Sequence, residues 1–325
     1  MTRRHGGYHK RIFPAWAVVC LDFTIFAAAL VVFALFHHVL PQSMGQRAVV
    51  ITDPAESTAM SRATSEPIAE QPGLTAIPGD FSASFPAGDT GATAILSYQS
   101  DSARVAVKKY KVGEAVCFVA DVWVRDIRSL RSGLAKDQVG QGIIDDVVDM
   151  SRALNAVAAI NGDYYGARAK GVVIRNGVLY RDSMYDDVCV IYEDGVMETY
   201  TKDEFSINDA IARKAWQAWS FGPELLDGGK AKTSFNSSVV PANPRSAIGY
   251  YEPGHYCLVV VDGRQQGYSL GLNMKDLSSF FETLGCLTAY NLDGGQSSMM
   301  TFEGELVNQP YNGGRPSSDI VYITP

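Results

Sequence analysis

Three short segments place asparagine, aspartate, arginine and serine beside glycine at the ends of apolar runs. They are INGDYYG (160–166), NPRSAIGY (243–250) and NLDGGQSS (291–298). Glycine lets the backbone approach a ligand closely and adopt positive φ, and amides exposed beside it can bind an anion. Because Asn-Gly and Asp-Gly are also common turn dipeptides, each segment alone favours an ordinary turn. Three of them in one chain, carrying Asp163, Arg245 and Asp293, indicate a polar binding site as much as they indicate turns.

Histidine-dependent chemistry is disfavoured by the sequence. Beyond its first 40 residues the chain contains a single histidine, His255, in the segment EPGHY. Two-metal phosphoesterases and Ser-His-Asp hydrolases both depend on histidine, so the sequence argues against both classes. We interpret His255 as a surface turn residue. Asp163 and Asp293 could instead hold a divalent cation through oxygen ligands, and neither a metal nor another cofactor is assigned.

Short strands and a few helices must position these segments. The predicted strands cover 115–124, 156–160, 172–174, 188–192, 247–251, 256–261, 287–292 and 320–323. The predicted helices cover 143–155, 207–214 and 274–284. Many strands, few helices and no regular βαβ alternation predict an α+β domain with mixed or antiparallel sheets and a few flanking helices.

The chain contains five cysteines, four of them in the predicted domain. These four are Cys117, Cys189, Cys257 and Cys286. No pair has the C-x-x-C spacing of a metal site, and cysteine is among the most buried residue types. We predict free cysteines in the core. A disulfide is the alternative, and the pair Cys257 and Cys286 is the first to test.

The overall composition is that of an ordinary globular protein. Apolar residues make up 46% of the 325 residues and charged residues 19%, which excludes a fully disordered, collagenous or coiled-coil chain. The net charge of −7 argues against nucleic acid as a partner. Basic residues are nevertheless concentrated ahead of an apolar segment near the N-terminus.

That apolar segment predicts a membrane anchor. Residues 15–36 are apolar except for Asp22 and Thr24, and a helix of this length reaches about 33 Å, enough for a hydrocarbon core of about 30 Å. The alternative is a cleaved signal peptide. The segment is longer than the apolar part of such a peptide and lacks a small-residue cleavage pattern. Since basic residues stay in the cytoplasm, we predict a cytoplasmic tail over 1–14, a single-pass signal anchor over 15–40 and an extracytoplasmic remainder.

A linker follows the predicted anchor. Residues 41–91 are rich in serine, threonine, alanine, proline and glycine, with no sustained apolar period. Such a segment cannot bury enough surface to offset the entropy of ordering it. We therefore predict a flexible extracytoplasmic tether over 41–91 and a folded domain over 92–325.

Taken in order, the glycine-rich segments and several others resemble the phosphodiester glycosidase family. The matching stretches are AINGDYYG, GVVIRNGVLY (171–180), SFGPELLDGGK (220–230), NPRSAIGYYEPG, VVVDGR (259–264), MKDLSSFFETLGC (274–286), YNLDGGQSSMM and RPSSDIVYI (315–323). The family includes uncovering-enzyme-like catalytic domains, which remove N-acetylglucosamine from a sugar phosphodiester, and bacterial exopolysaccharide-associated members. The resemblance covers about 105–324. The sequence departs from the usual family pattern at Asp163 and Gln296.

The resemblance implies an extracytoplasmic glycosidase, anchored in the membrane, that hydrolyses a sugar-1-phosphodiester in a surface polysaccharide or related glycopolymer. The departing phosphomonoester has a second pKa near 6 and needs little protonation, so the site needs phosphate-binding groups and a carboxylate. The expected catalytic residues are Asp293, Asp163 as second-choice carboxylate, and Arg245, whose planar guanidinium suits a phosphate. The expected substrate-binding residues are Asn161, Ser246, Gly294, Gly295, Ser297 and Arg315.

Two other functions stay open at this point. The first is a non-catalytic protein that binds glycans or assists exopolysaccharide assembly. The second is a metal-dependent phosphodiesterase that cuts the P–O bond and releases a sugar phosphate. The expected partners are a carbohydrate phosphodiester and, through the N-terminal helix, a membrane.

Overall fold

The computed structural model describes residues 15–34, 42–43, 49–50, 79–87 and 93–325. The chain divides into two units, Met1–Gln42 and Ser43–Pro325. In the first unit, helix α1 spans Ala15–Ala34. Among the described residues, no helix qualifies as long and apolar enough to span a membrane. The anchor over 15–40 therefore stays a prediction, and the tail over 1–14 lies outside the described residues.

Strands outnumber helices throughout the described part of the chain. The further helices are α2 (Val147–Ala153), α3 (Ile207–Ala212) and α4 (Met274–Leu284). The strands are β1 (Gln42–Ser43), β2 (Val49–Val50), β3 (Leu96–Gln99), β4 (Ala103–Val112), β5 (Ala115–Val124), β6 (Leu130–Leu134), β7 (Gly140–Gln141), β8 (Ala158–Asn161), β9 (Val173–Arg175), β10 (Val178–Arg181), β11 (Val188–Tyr192), β12 (Met197–Tyr200), β13 (Ala215–Trp219), β14 (Leu226–Asp227), β15 (Lys230–Ala231), β16 (Arg245–Glu252), β17 (His255–Val261), β18 (Thr288–Asn291), β19 (Met300–Phe302), β20 (Glu305–Leu306) and β21 (Asp319–Ile323).

Three sheets of five or six strands form the body of the second unit. Sheet A has the order β18-β16-β17-β5-β4-β3, sheet B has β20-β19-β8-β21-β6, and sheet C has β12-β11-β13-β9-β10-β2. Their neighbouring strands pair in the antiparallel sense. These sheets confirm the predicted α+β class, with antiparallel sheets and few helices.

The sheets share one apolar core and carry one helix each on their other faces. In β5, alternate residues such as Phe118 and Val122 enter the shared core, whereas Cys117 and Val119 pack with α4. This alternation follows from the two-residue period of a strand. Residues of α2 pack with β8 and β21 of sheet B, and residues of α3 pack with β11 and β13 of sheet C. The shared core therefore fixes the strand ends of sheets A and B relative to each other.

The four cysteines of the domain are buried thiols. The Sγ atoms of Cys257 and Cys286 lie 3.7 Å apart, between sheet A and α4. Gly249 lies against both, because a Cβ placed there would come within 2.8 Å of either sulfur. Close packing at this position therefore depends on glycine.

Part of the predicted tether over 41–91 contributes to the domain. Strand β2 pairs with β10 in sheet C. In residues 79–87, the Phe81 amide donates to the Arg125 carbonyl at 2.6 Å, and the Phe81 ring is buried in the shared core. A Cβ on Gly254 would approach that ring to 2.8 Å. These contacts differ from those of a free tether, and most of the remaining tether lies outside the described residues.

Phe81→Ala is expected to lower the free energy of unfolding by about 3 kcal/mol, as is typical when a buried phenylalanine is truncated. Phe85 in the same segment is only partly buried, and the guanidinium carbons of Arg104 and Arg125 lie 5.2 and 4.8 Å from its ring centre. Phe85→Ala is the matched control, with an expected loss of about 1 kcal/mol. Urea denaturation of the full chain measures both values. If neither variant changes the unfolding transition of the chain, the segment does not pack on the domain.

Candidate active site

Strand register brings the three glycine-rich segments to one edge of the domain. Strand β16 runs antiparallel to both β17 and β18, with Arg245 opposite Val261 and Ala247 opposite Asn291. The beginning of β16 therefore meets the ends of β17 and β18. The end of β8 in sheet B, at Asn161, lies at the same edge, as its side-chain hydrogen bonds show.

Asn161 connects sheet A to the loop that follows β18. Its Oδ1 accepts a hydrogen bond from Ser246 Oγ at 2.6 Å, and its Nδ2 donates to the Asp293 carbonyl at 2.7 Å. Asn161 and Ser246 are fully buried. We predicted Asn161 as a substrate-binding residue, but its hydrogen bonds hold the loop that carries Asp293. Ser246 likewise positions Asn161, whereas we predicted a direct contact with substrate.

Asp293 forms the centre of a polar cluster. Arg315 Nη2 donates to Asp293 Oδ2 at 2.8 Å, and Arg315 Nε donates to Ser297 Oγ at 2.6 Å. The Arg315 guanidinium lies 4.7 Å from the centre of the Tyr164 ring. Burial raises the pKa of Asp293, while hydrogen bonding from Ser297 and the charge of Arg315 oppose this increase. The arrangement holds a nearly buried carboxylate in one orientation.

A cleft of about 300 Å³ opens beside this carboxylate. Its lining consists of Phe221, Val239, Asn243, Arg245, Arg264, Asp293, Gly294, Gly295, Gln296 and Arg315. Three arginines thus face a single aspartate. Such an excess of guanidinium groups favours an anionic ligand, and arginine forms planar, paired hydrogen bonds with phosphate.

Arg245 is held rigidly at the cleft. Its Nε donates to the Leu272 carbonyl at 2.9 Å, and its Nη2 donates to the carbonyls of Val239, at 2.7 Å, and Pro241. Burial, followed by the nearby charge of Arg264, lowers the pKa of Arg245 to about 10, so the group stays protonated at neutral pH. Its Nη1 donates to none of the described residues. This nitrogen is therefore available to a ligand in the cleft.

The two glycines after Asp293 allow the backbone to pass close to sheet A. A Cβ on Gly294 would lie 2.6 Å from the Pro244 carbonyl oxygen, and Gly295 has φ +67°. The Gly295 amide donates to that same carbonyl at 2.9 Å. We predicted that both amides bind an anion, but the structure satisfies the Gly295 amide internally. Both residues line the cleft.

Comparison with known proteins decides the family. The family model described as phosphodiester glycosidase matches residues 154–324, more than half of the chain. The chain belongs to the phosphodiester glycosidase family. It is 32% identical over 181 residues to the SPbeta prophage-derived uncharacterized protein YomE of Bacillus subtilis, covering 52% of this chain and 28% of that protein. It is 24% identical over 169 residues to N-acetylglucosamine-1-phosphodiester alpha-N-acetylglucosaminidase of Bos taurus, covering 51% of this chain and 29% of that protein.

The aligned regions span less than a third of the length of these curated relatives. A solved structure shares the fold: the catalytic domain of zebrafish N-acetylglucosamine-1-phosphodiester alpha-N-acetylglucosaminidase, auto-inhibited by its pro-peptide. It matches with a TM-score of 0.55 and 21% identity, covering 70% of this chain and 86% of that chain. The phosphodiester glycosidase fold therefore extends beyond the aligned sequence.

Arg264 belongs to the cleft of this phosphodiester glycosidase domain, although we did not predict it as a site residue. Its Nε donates to Asn243 Oδ1 at 3.0 Å, and its guanidinium carbon lies 5.5 Å from the centre of the Tyr311 ring. The residue is exposed and has φ +58°. The signal was available in VVVDGR (259–264), where a charged residue follows Asp-Gly at the end of a strand.

Asp163 does not line the cleft, in contrast to its predicted role as a catalytic carboxylate. Its Oδ1 accepts from Arg175 Nη2 at 2.8 Å, and its Oδ2 accepts from the Ser220 amide at 3.1 Å. Arg175 Nε also donates to Asp319 Oδ2 at 2.7 Å, and all three charged side chains are buried. Asp163 is therefore part of a buried ionic cluster and not of the cleft lining.

Within the described parts of the chain, no group of three or more histidine, cysteine, aspartate or glutamate side chains is placed to hold a metal ion. Asp163 faces Arg175, and Asp293 faces Arg315. Each of the two candidate oxygen ligands thus already has a cationic partner.

His255 lies away from the site, at the opposite end of β17. Its Nε2 is 2.7 Å from Asp121 Oδ1. The imidazole stacks on Trp123 and Tyr251, with ring centres 3.7 and 4.2 Å apart. The residue begins a strand and is partly buried, which differs from the surface turn that we predicted.

The buried ionic cluster predicts a pH-dependent stability. Burial raises the pKa of Asp319 from 3.8 to about 6. Because the folded chain then binds this proton more tightly than the unfolded chain, the free energy of unfolding falls as the pH rises from about 4 to about 6. Asp319→Asn is expected to remove this dependence, on the order of 2 kcal/mol. Urea denaturation of the wild type and of Asp319→Asn across this pH range measures the dependence. Parallel profiles of unfolding free energy against pH for the two proteins would contradict the prediction.

Proposed function

We propose that this domain hydrolyses a sugar-1-phosphodiester at the bond between the sugar C1 and the phosphate oxygen. The observation that carries the proposal is the cleft, whose lining contains Arg245, Arg264 and Arg315 and a single carboxylate, that of Asp293. Membership of the phosphodiester glycosidase family supports it. So does the name of a relative, N-acetylglucosamine-1-phosphodiester alpha-N-acetylglucosaminidase.

In this mechanism Arg245 and Arg264 bind the phosphodiester. As the C1–O bond breaks, negative charge grows on the departing phosphate, and the guanidinium contacts strengthen towards the transition state. The released phosphomonoester has a second pKa near 6, so it departs without a dedicated acid. This accounts for a site rich in arginine that has one carboxylate.

Asp293 serves the sugar side of the reaction. Its carboxylate stabilises the oxocarbenium-like C1 or activates the attacking water. Arg315 and Ser297 favour the ionised form that this role requires, against the effect of burial. Asn161 keeps the loop in place through the Asp293 carbonyl. Asn161 and Ser246 are therefore positioning residues.

We further propose that the domain acts outside the cell membrane on a surface polysaccharide or related glycopolymer. The support is the basic and apolar pattern of the N-terminal residues, which predicts an anchor over 15–40 with its basic side in the cytoplasm. Protease added to intact spheroplasts should then cleave the domain from the cell. Full protection with an intact membrane would reverse the orientation.

The reaction is tested by product analysis in water enriched in oxygen-18. The full chain in detergent is incubated with the methyl diester of N-acetylglucosamine 1-phosphate. Cleavage at C1–O gives free sugar that carries the label and unlabelled methyl phosphate. Release of sugar phosphate would support a metal-dependent phosphodiesterase instead. Binding of the diester without turnover would support the glycan-binding alternative.

A further inference from the structure

A second cavity, of about 540 Å³, lies near the cleft, because Arg168 contacts a residue of each lining, as described below. We call it the side cavity; its lining includes Tyr185, Asp186, Asp187, Asp203, Phe235 and Asn236. Two chain segments contribute to both spaces. Phe221 lines the cleft and Pro223 lines the side cavity, while Val239 lines the cleft and Phe235 lines the side cavity. The same two segments, 221–223 and 235–239, therefore contribute residues to the lining of each space.

Arg168 contacts one residue of the side cavity and one residue of the cleft. Its guanidinium carbon lies 4.8 Å from the centre of the Tyr185 ring and 4.9 Å from that of Phe221. Its Nη2 donates to the Asp163 carbonyl at 2.9 Å, which fixes the group in place. The charge of Arg168 also lowers the pKa of Asp293. A ligand in the side cavity would therefore lie close to one that reacts at Asp293.

The lining of the side cavity suits an uncharged sugar. Tyr185 is 50% exposed although its ring lies against Arg168, so it offers a supported aromatic surface for the C–H groups of a sugar ring. Carboxylates at Asp186, Asp187 and Asp203 can accept hydrogen bonds from sugar hydroxyls.

Charge argues against a phosphate in the same cavity. Its cationic residues are Lys202 and Lys232, and Lys232 is already paired with Glu224 at 2.6 Å. The three aspartates of the lining therefore exceed the available positive charge. Arg264, which lines the cleft, also lines a further cavity together with Lys111. This distribution of charge favours a leaving phosphate on the Arg264 side and an uncharged sugar on the Tyr185 side.

We propose that the side cavity binds an uncharged sugar residue linked to the sugar whose C1 carries the phosphodiester. The domain would then act on the phosphodiester of an oligosaccharide in preference to that of a single sugar. This inference rests on the proposed function and specifies its substrate class. Tyr185 is the residue expected to recognise the additional sugar.

Four defined diesters test the proposal with the full chain. The short probe is the methyl diester of N-acetylglucosamine 1-phosphate. The long probes carry one further N-acetylglucosamine on O3, O4 or O6 of the first sugar. At least one long probe should show a kcat/KM roughly 10-fold above that of the short probe, the size expected of one aromatic contact. Equal kcat/KM for all four would overturn the proposal.

The ratio of kcat/KM for a long probe to kcat/KM for the short probe, measured in Tyr185 variants, tests whether Tyr185 recognises the additional sugar. Tyr185→Ala should bring this ratio to about one, because the ring is lost. Tyr185→Phe is the matched control and should keep it. An unchanged ratio in Tyr185→Ala would overturn the assignment, whatever the absolute rates.

Calorimetric binding of the same probes to Asp293→Asn separates this proposal from the proposed function. Suppose that the wild type hydrolyses none of the diesters, but a long probe binds to the variant more tightly than the short probe does. The glycosidase function then fails and the sugar site stands. If all four are hydrolysed by the wild type at equal kcat/KM and bind the variant equally, the function stands and the sugar site fails.

Discussion

Asp293→Asn is expected to lower kcat on a sugar-1-phosphodiester by about 10²–10⁴-fold, the range usual for a positioned acid–base group. The amide keeps the shape of the carboxylate and can still accept a hydrogen bond from Arg315, which lies at 2.8 Å. It cannot take a proton from water or stabilise a cationic C1. Turnover is measured per folded molecule, with substrate binding measured separately. Binding should persist because Arg245 and Arg264 are unchanged.

Asp163→Asn is the matched control for this prediction. Both aspartates follow buried strands and both pair with arginine, but only Asp293 lines the cleft. Removing one partner of a buried ion pair commonly costs about 3–5 kcal/mol, so Asp163→Asn should lower the melting temperature strongly. Its kcat per folded molecule should change much less than that of Asp293→Asn. The opposite pattern would exchange the roles of the two carboxylates.

Local signals were sufficient to predict α4. The sequence prediction of 274–284 coincides with the observed helix, Met274–Leu284. The Asn273 side chain accepts from the Asp276 amide, and Gly285 ends the helix with φ +84°. Both are standard capping signals, and the apolar residues between them share one buried face. Where capping residues and apolar periodicity agree, the bounds of a helix can be predicted without knowledge of the structure that packs around it.

Periodicity alone extended α2 too far. The prediction of 143–155 begins before the observed Val147–Ala153, because the Asp146 side chain caps the helix by accepting from the amides of Val148 and Asp149. Ile143 is buried although it precedes the helix. An apolar residue that packs from a loop fits the helical spacing by coincidence, and the sequence pattern cannot distinguish the two cases.

The site was predictable as a set of strand ends but not as a set of contacts. Asn161, Arg245 and Asp293 do converge, since polar residues beside glycine mark the places where strands leave the core. Which aspartate reaches the cleft depends on the partner that packing supplies. For Asp163 that partner is Arg175 of sheet C, and for Asp293 it is Arg315, from the loop before β21. These pairings join residues 12 and 22 positions apart that lie on different elements, so the residues next to each aspartate do not reveal its partner.

Arg245→Lys is expected to lower kcat by about 10²-fold or more and to weaken binding of the phosphodiester. An ammonium group cannot donate to the carbonyls of Val239 and Leu272 and to a phosphate in one plane, as the guanidinium can. Loss of one donor to a developing oxyanion typically costs about 10²–10³-fold. The measurement is kcat and KM per folded molecule, alongside the melting temperature.

Stability must be followed in this experiment because Arg245 also holds the chain together. Its hydrogen bonds to buried carbonyls predict that Arg245→Ala lowers the free energy of unfolding by about 1–3 kcal/mol. Arg264 is exposed, so Arg264→Ala is the matched control that loses a phosphate contact with little change in stability. If Arg245 only supports the fold, its lysine variant melts at a lower temperature yet turns over normally per folded molecule. That result would remove Arg245 from phosphate binding and leave Arg264 and Arg315 as the cationic groups of the site.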